Sequence, residues 1–250
     1  MTKQRVLMIQ PGAMGDIFIC APIAKWYYDA GYEVVWPVRD ALVSTVEALG
    51  YVTTFGIGVE DDLTPQNRMR KNVQTILAIH AEEKFDYVLN LADRGPHPVA
   101  QRPDENFEQV KYRLSNVPFE VKHALDWCRS SVKEDWIYNR FVNLPGHDRY
   151  AFVHNDTSRG SSEVVELPEI DLPIVFCEEV EGYTIFDWYT VILQADEVYV
   201  TESSVFAFCD GIVDDLPSSK FLLPRSTGIT SISSNWDKRY ILPEQIRING

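Results

Sequence analysis

Residues 5–10 (RVLMIQ) are a short apolar run that passes through the turn PGAMGD into a helix-like stretch, and this strand–turn–helix order recurs along the chain. Such alternation demands a parallel sheet, because parallel strands are joined by long crossovers, usually helices, that cover the sheet faces. The first helix is expected to run to Ala30 and stop at Gly31, with Pro22 inside it removing one backbone hydrogen bond. A strand is predicted over 33–38, a helix over 41–49, a strand over 51–55, an acidic loop over 58–67, a helix over 66–83 and a strand over 85–91.

From Arg94 to Pro103 the alternation stops: RGPHPVAQRP is rich in proline and cationic, and reads as a loop beyond the sheet. Helices are expected over 104–116 and 123–142, and LPGHD (144–148) reads as a turn between domains. A second series follows, with strands over 150–155, 172–179, 197–202 and 220–224 and helices over 185–195 and 203–213. The fold class is therefore α/β with two Rossmann-like domains, residues 1–145 with a helical linker and residues 146–250.

Charge narrows the partners. The 250 residues carry a net charge of −14, and no Lys or Arg occurs from Gly160 to Ser219. Such a surface repels phosphate backbones and anionic lipid, so neither nucleic acid nor membrane docking is expected. No apolar run approaches the roughly 20 residues of a membrane span, and the N-terminus lacks the pattern of a signal peptide. The cytoplasm is the expected location. Cys20, Cys128, Cys177 and Cys209 are scattered among apolar neighbours and read as buried free thiols, not as metal ligands.

The first turn carries the chemistry. PGAMGD has only Gly12 and Gly15, so it is not the GxGxxG of a dinucleotide site, and a Rossmann oxidoreductase is disfavoured. Asp16 has two readings: a helix N-cap meeting the positive end of the dipole, or a general base at the carboxyl edge of the sheet. Ser203 and Ser204 likewise read as a plain helix cap or as an anion site built from free backbone N–H groups. His154 ends a strand and could bond a phosphate or satisfy backbone. His97 reads as an exposed loop residue or an acceptor contact. Trp26, Tyr27, Tyr28, Trp188 and Tyr189 read as packing residues.

RVLMIQPGAMGDIFICAPIAKWYYDAGYEVVWPV resembles the opening of heptosyltransferase-type enzymes, glycosyltransferase family nine, with strand, loop, Gly-Asp and a helix with an early proline. FVHNDTSRG (152–160) and ADEVYVTESSVFAFCDGI (195–212) carry the rest of the resemblance. It implies a GT-B architecture with an interdomain cleft, an N-terminal acceptor domain and a C-terminal nucleotide-sugar domain. It also implies Asp16 as catalytic base; from the residues themselves, Gly12 and Gly15 read as an acceptor or phosphate loop, and Arg94 and His97, in the proline-rich loop, as candidate phosphate and acceptor contacts. Donor contacts would come from Thr157, Ser158, Arg159, Glu202, Ser203 and Ser204, with Glu178, Glu179 or Glu181 as alternatives for the ribose. Where the family has Asp-Ser-Gly followed by a His, this chain has Glu202-Ser203-Ser204 with Phe206 and Phe208.

The implied activity is transfer of a sugar from a nucleotide-sugar donor to a saccharide or other small acceptor, with inversion, no cofactor and no metal. A divalent ion held by Asp156 and Glu202 is the alternative on the metal. Two other readings stay open: a non-catalytic nucleotide- or sugar-binding module, and a nucleotide-sugar epimerase.

Overall fold

The computed structural model describes residues 3–58, 65–92, 105–143, 148–157 and 163–223, together with Trp236. The chain divides into two compact units, Met1–Cys128 and Arg129–Gly250.

In the first unit, β1 (Arg5–Ile9) leads into α1 (Met14–Asp29), β2 (Glu33–Val35), α2 (Val43–Glu47), α3 (Pro65–Glu82), β3 (Tyr87–Asn90) and α4 (Phe107–Ser115). The three strands form a parallel sheet in the order β2-β1-β3, with Val6 opposite Val34 on one side and Tyr87 on the other. Val6 to Ile9 are wholly buried, as expected of a central parallel strand covered on both faces. Leu7 and Ile9 pack with Val35, Val73 and Ile76.

Helix α1 buries every residue from Ile17 to Ala24, so apolar side chains face inward all round it. Pro22 lies inside the helix and cannot donate to the carbonyl one turn back. Side chains from outside the helix bond carbonyls beside it: Tyr112 Oη donates to Ile19 O at 3.0 Å and Tyr51 Oη to Ala21 O at 3.2 Å. The helix ends as the sequence indicates. Gly31 takes φ +95°, a left-handed backbone that glycine adopts without strain, and its N–H reaches the Tyr28 carbonyl at 2.9 Å.

In the second unit the elements are α5 (Ser131–Phe141), β4 (Ala151–His154), β5 (Asp156–Thr157), β6 (Glu163–Val164), β7 (Ile174–Phe176), α6 (Tyr189–Leu193), β8 (Glu197–Thr201), α7 (Ser204–Gly211) and β9 (Lys220–Leu223). A four-stranded parallel sheet runs β7-β4-β8-β9, and β5 and β6 pair separately as a short antiparallel ribbon. Ala151, Phe152 and Val153 are fully buried at its centre. Trp236 returns to α7, where its indole N–H donates to Asp210 Oδ1 at 2.9 Å and its ring lies 5.3 Å from Phe206.

Several expectations from sequence change. The strand expected over 51–55 is reduced to isolated bridges, Val35 with Thr53 and Val38 with Gly56. The compact units divide between Cys128 and Arg129, whereas the sequence turn suggested 145/146. Helix α5 belongs with the second unit because Thr190 donates to Glu134 at 2.6 Å and Lys133 donates to Gly182 O at 2.8 Å. Cys20 and Cys209 are buried thiols as expected, but Cys128 is exposed. Trp188 and Tyr189 are core residues, whereas Trp26 (44% exposed) and Tyr28 (41%) stand on the outer face of α1.

Candidate active site

The turn after β1 is held by a knot of polar groups at the carboxyl edge of the first sheet. Gln10 is fully buried directly after β1. Its amide donates to Leu91 O, just past β3, at 2.9 Å, and its carbonyl oxygen accepts from Gly12 N–H at 3.2 Å. Arg39 donates to the Gly12 carbonyl at 3.2 Å. Gly12 is required by close approach: a Cβ there would stand 2.6 Å from Asp16 Oδ2 and 2.7 Å from Gln10 Oε1.

Asp16 sits in the first turn of α1, three residues past the N-cap Ala13, so it is not itself the cap. Its Oδ2 accepts from Ala13 N–H at 3.2 Å, which satisfies one of the free donors of the helix end. Its Oδ1 lies 3.3 Å from Lys111 Nζ and 3.5 Å from Gln10 Nε2. The Asp16 side chain keeps 19% of its surface exposed, and that of Lys111 only 1%. Lys111 also donates to Leu91 O at 2.9 Å.

Lys111 is the residue that sequence reasoning missed. On α4 the apolar stripe Phe107, Val110 and Leu114 looks like the buried face, yet Leu114 is 38% exposed. The face turned inward is instead Glu108, Lys111, Tyr112 and Ser115, at the i, i+3, i+4, i+7 spacing of one helix side. Its charges are matched: Glu108 pairs with Lys122 and Lys111 with Asp16. A buried charge is tolerable only with such a partner. The available signal was the period of the polar residues themselves.

In the second unit, β8 ends at Thr201 and α7 opens two residues later with Ser203 as N-cap. Ser203 Oγ accepts from Phe206 N–H at 3.4 Å, the standard way a serine satisfies a free helix donor. His154, at the end of β4, places Nδ1 3.3 Å from the same hydroxyl. Burial holds the His154 pKa below its ordinary value, against the opposing pull of Asp156. The imidazole is thus neutral near pH 7, and one of its nitrogens is an acceptor. Glu202 and Ser204 flank Ser203 and are half-buried.

The structure thus brings Ser203, Ser204 and Glu202 to one helix start, adds His154 to them, and gathers Gly12, Asp16 and Lys111 at another. Gly15 lies in the first turn of α1. Thr157 is described only through its backbone, in β5. Ser158, Arg159, Arg94 and His97 lie outside the described residues. Among the described residues there is no cluster of three His, Cys, Asp or Glu side chains able to hold a metal ion, and no helix long and apolar enough to cross a membrane.

No protein-family model matches this chain, and no curated protein matches it in sequence. In three dimensions the chain is similar to the crystal structure of a glycosyl transferase family 9 protein from Veillonella parvula DSM 2008, with a TM-score of 0.56 and 10% identity. The match covers 94% of this chain and 86% of that one. A weaker likeness is to the spinosyn forosaminyltransferase SpnP, with a TM-score of 0.48, 13% identity and coverage of 94% and 82%. At this identity the first likeness shows a shared α/β fold of the GT-B kind, and the second is too weak to add to it.

Proposed function

We propose that this chain transfers a sugar from a nucleotide-sugar donor to a hydroxyl group of a saccharide or other small acceptor. One observation carries the reading. Asp16, the residue of the Gly-Asp motif, lies in the first turn of α1 beyond the carboxyl end of β1 as a partly exposed carboxylate, in a chain whose fold is similar to that of a family 9 glycosyl transferase. Open α/β sheets bind ligands at the carboxyl ends of their strands.

In the proposed reaction the acceptor oxygen attacks the anomeric carbon while the bond from that carbon to the diphosphate breaks. The electron pair leaves with the nucleoside diphosphate, the acceptor proton passes to Asp16, and the single displacement inverts the anomeric centre. The diphosphate is assigned to the second unit. There the free N–H groups at the start of α7, the hydroxyls of Ser203, Ser204, Thr157 and Ser158, and the Arg159 guanidinium would stabilise its charge. Gly12, Gly15, Arg94 and His97 are assigned to the acceptor side, and Glu202 to the donor side. Neither a cofactor nor a metal is invoked.

A second reading draws on the ion pair. Both Asp16 oxygens already have protein donors, and protonating this carboxylate would remove the charge that faces buried Lys111. That arrangement suits a binding module that never moves a proton. The test is release of nucleoside diphosphate from a panel of nucleotide-sugars, with and without mixed saccharide acceptors. Acceptor-dependent release with a glycosylated product supports transfer. A changed donor without acceptor supports the epimerase, and binding without release supports the module.

A further inference from the structure

We infer that Lys111 is a positioning residue for Asp16: by holding Oδ1 it makes Oδ2 the oxygen that takes the acceptor proton. The inference rests on the transferase reading for its kinetic part and on geometry alone for the rest.

The two carboxylate oxygens are not equivalent. Oδ1 faces two buried donors, the Lys111 ammonium at 3.3 Å and the Gln10 amide at 3.5 Å. Oδ2 accepts from one protein donor among the described residues, the Ala13 N–H at 3.2 Å. An ionised carboxylate oxygen has two acceptor sites, so Oδ2 keeps one for substrate. Glycine at residue 12 leaves that oxygen room, since a Cβ there would stand 2.6 Å from it, and the Asp16 side chain keeps 19% of its surface exposed.

Lys111 cannot meet a substrate itself, since its side chain is 1% exposed and its ammonium is anchored on Leu91 O at 2.9 Å. Its influence therefore passes through Asp16. The anchor joins the end of β3 to the start of α1, which fixes the rotation of the carboxylate against the sheet. When Oδ2 takes a proton, Oδ1 becomes a carbonyl oxygen and still accepts from the ammonium. Lys111 then loses a charge partner but not a hydrogen-bond acceptor.

The experiment compares wild type with Lys111→Met, Asp16→Asn and the double variant. It reads kcat, donor KM and amide hydrogen exchange at Ala13, whose N–H is the reporter of Oδ2. With Lys111→Met, kcat should fall roughly 100-fold, the scale of an ~1 Å misplacement of a reacting group. Donor KM should stay unchanged, because the donor groups lie in the other unit. Ala13 exchange should quicken by about ten-fold, as for loss of a charge-assisted bond, while the Tyr112 amide in α4 stays protected. Because Lys111 acts only through Asp16, the double variant should be no slower than Asp16→Asn.

Unchanged kcat and unchanged Ala13 exchange in Lys111→Met would overturn the inference, as would losses that add in the double variant. If Lys111→Met does not fold, Lys111→Gln, whose amide can keep the Leu91 bond, takes its place with the same expected directions. If wild type transfers no sugar at all, the transferase reading falls. Ala13 exchange then decides the positioning role alone: faster exchange supports it and unchanged exchange ends it.

Discussion

Replacing Asp16 with Asn should destabilise the first unit by about 3 kcal/mol, the lower end of the range for breaking a buried ion pair. Were Asp16 the helix cap, almost no loss would follow, since Asn is an equally good cap. The difference is Lys111. Its ammonium is almost wholly buried and 3.3 Å from Asp16 Oδ1, a separation worth about 5 kcal/mol at an effective dielectric constant near 20. Two features reduce the net loss. Leu91 O still accepts from the ammonium at 2.9 Å, and the Asp16 side chain is 19% exposed, so water can approach the gap. About 3 kcal/mol corresponds to a drop of roughly 10 °C in Tm for a unit of this size.

The measurement must read the first unit by itself, because a chain of two compact units need not unfold in one step. Hydrogen exchange of the Leu7 and Met8 amides, at the buried centre of β1, does so. Adding Lys111→Met to the Asn variant should restore most of the loss, because an apolar side chain removes the stranded charge. A loss below about 1 kcal/mol, the ordinary scale of a surface or cap change, would refute the idea that Lys111 depends on Asp16.

Four further outcomes are expected. Gly12→Ala should drive Asp16 Oδ2 out of place, since the new Cβ would stand 2.6 Å from it, and should cut transfer by roughly 100-fold in a turnover assay. His154 has a folded pKa below its ordinary 6.5, so the unfolded chain binds more protons just below that value. Its stabilising contribution is therefore complete above about pH 6.5 and is lost as pH falls through the folded pKa. Denaturant unfolding at pH 7.5 and pH 5 should show a smaller pH loss in His154→Gln than in wild type. Trp236→Ala removes the bond to Asp210 and the ring against Phe206, and should cost about 3–5 kcal/mol in the second unit by thermal unfolding. Arg159→Ala should weaken nucleoside diphosphate binding about ten-fold by calorimetric titration, with free nucleoside unaffected, as for loss of one charged hydrogen bond.

Features that depend on near neighbours along the chain were legible in the order of residues alone. The run RVLMI reads as a buried strand because every side chain in it is apolar or stem-like, and Val6 to Ile9 are fully buried. Gly31 marks the end of α1 because only glycine takes that backbone cheaply, and Ser203 marks the start of α7 because its hydroxyl reaches three residues ahead. The alternation of such elements was enough for parallel α/β sheets. The strand predicted over 51–55 fails for the same reason: local pattern does not show that this segment finds partners only at two isolated bridges.

The pairings that could carry chemistry were decided by tertiary structure. His154 and Ser203 stand 49 positions apart and meet because β4 and β8 are neighbours in the sheet, so that one strand end faces the other's helix start. Lys111 meets Asp16 only because α4 turns its charged side inward, against its own apolar stripe. Hydrophobic periodicity predicts the opposite orientation. A buried counter-charge can outweigh a few half-buried apolar groups, and the location of that counter-charge is a property of the folded chain, not of the helix.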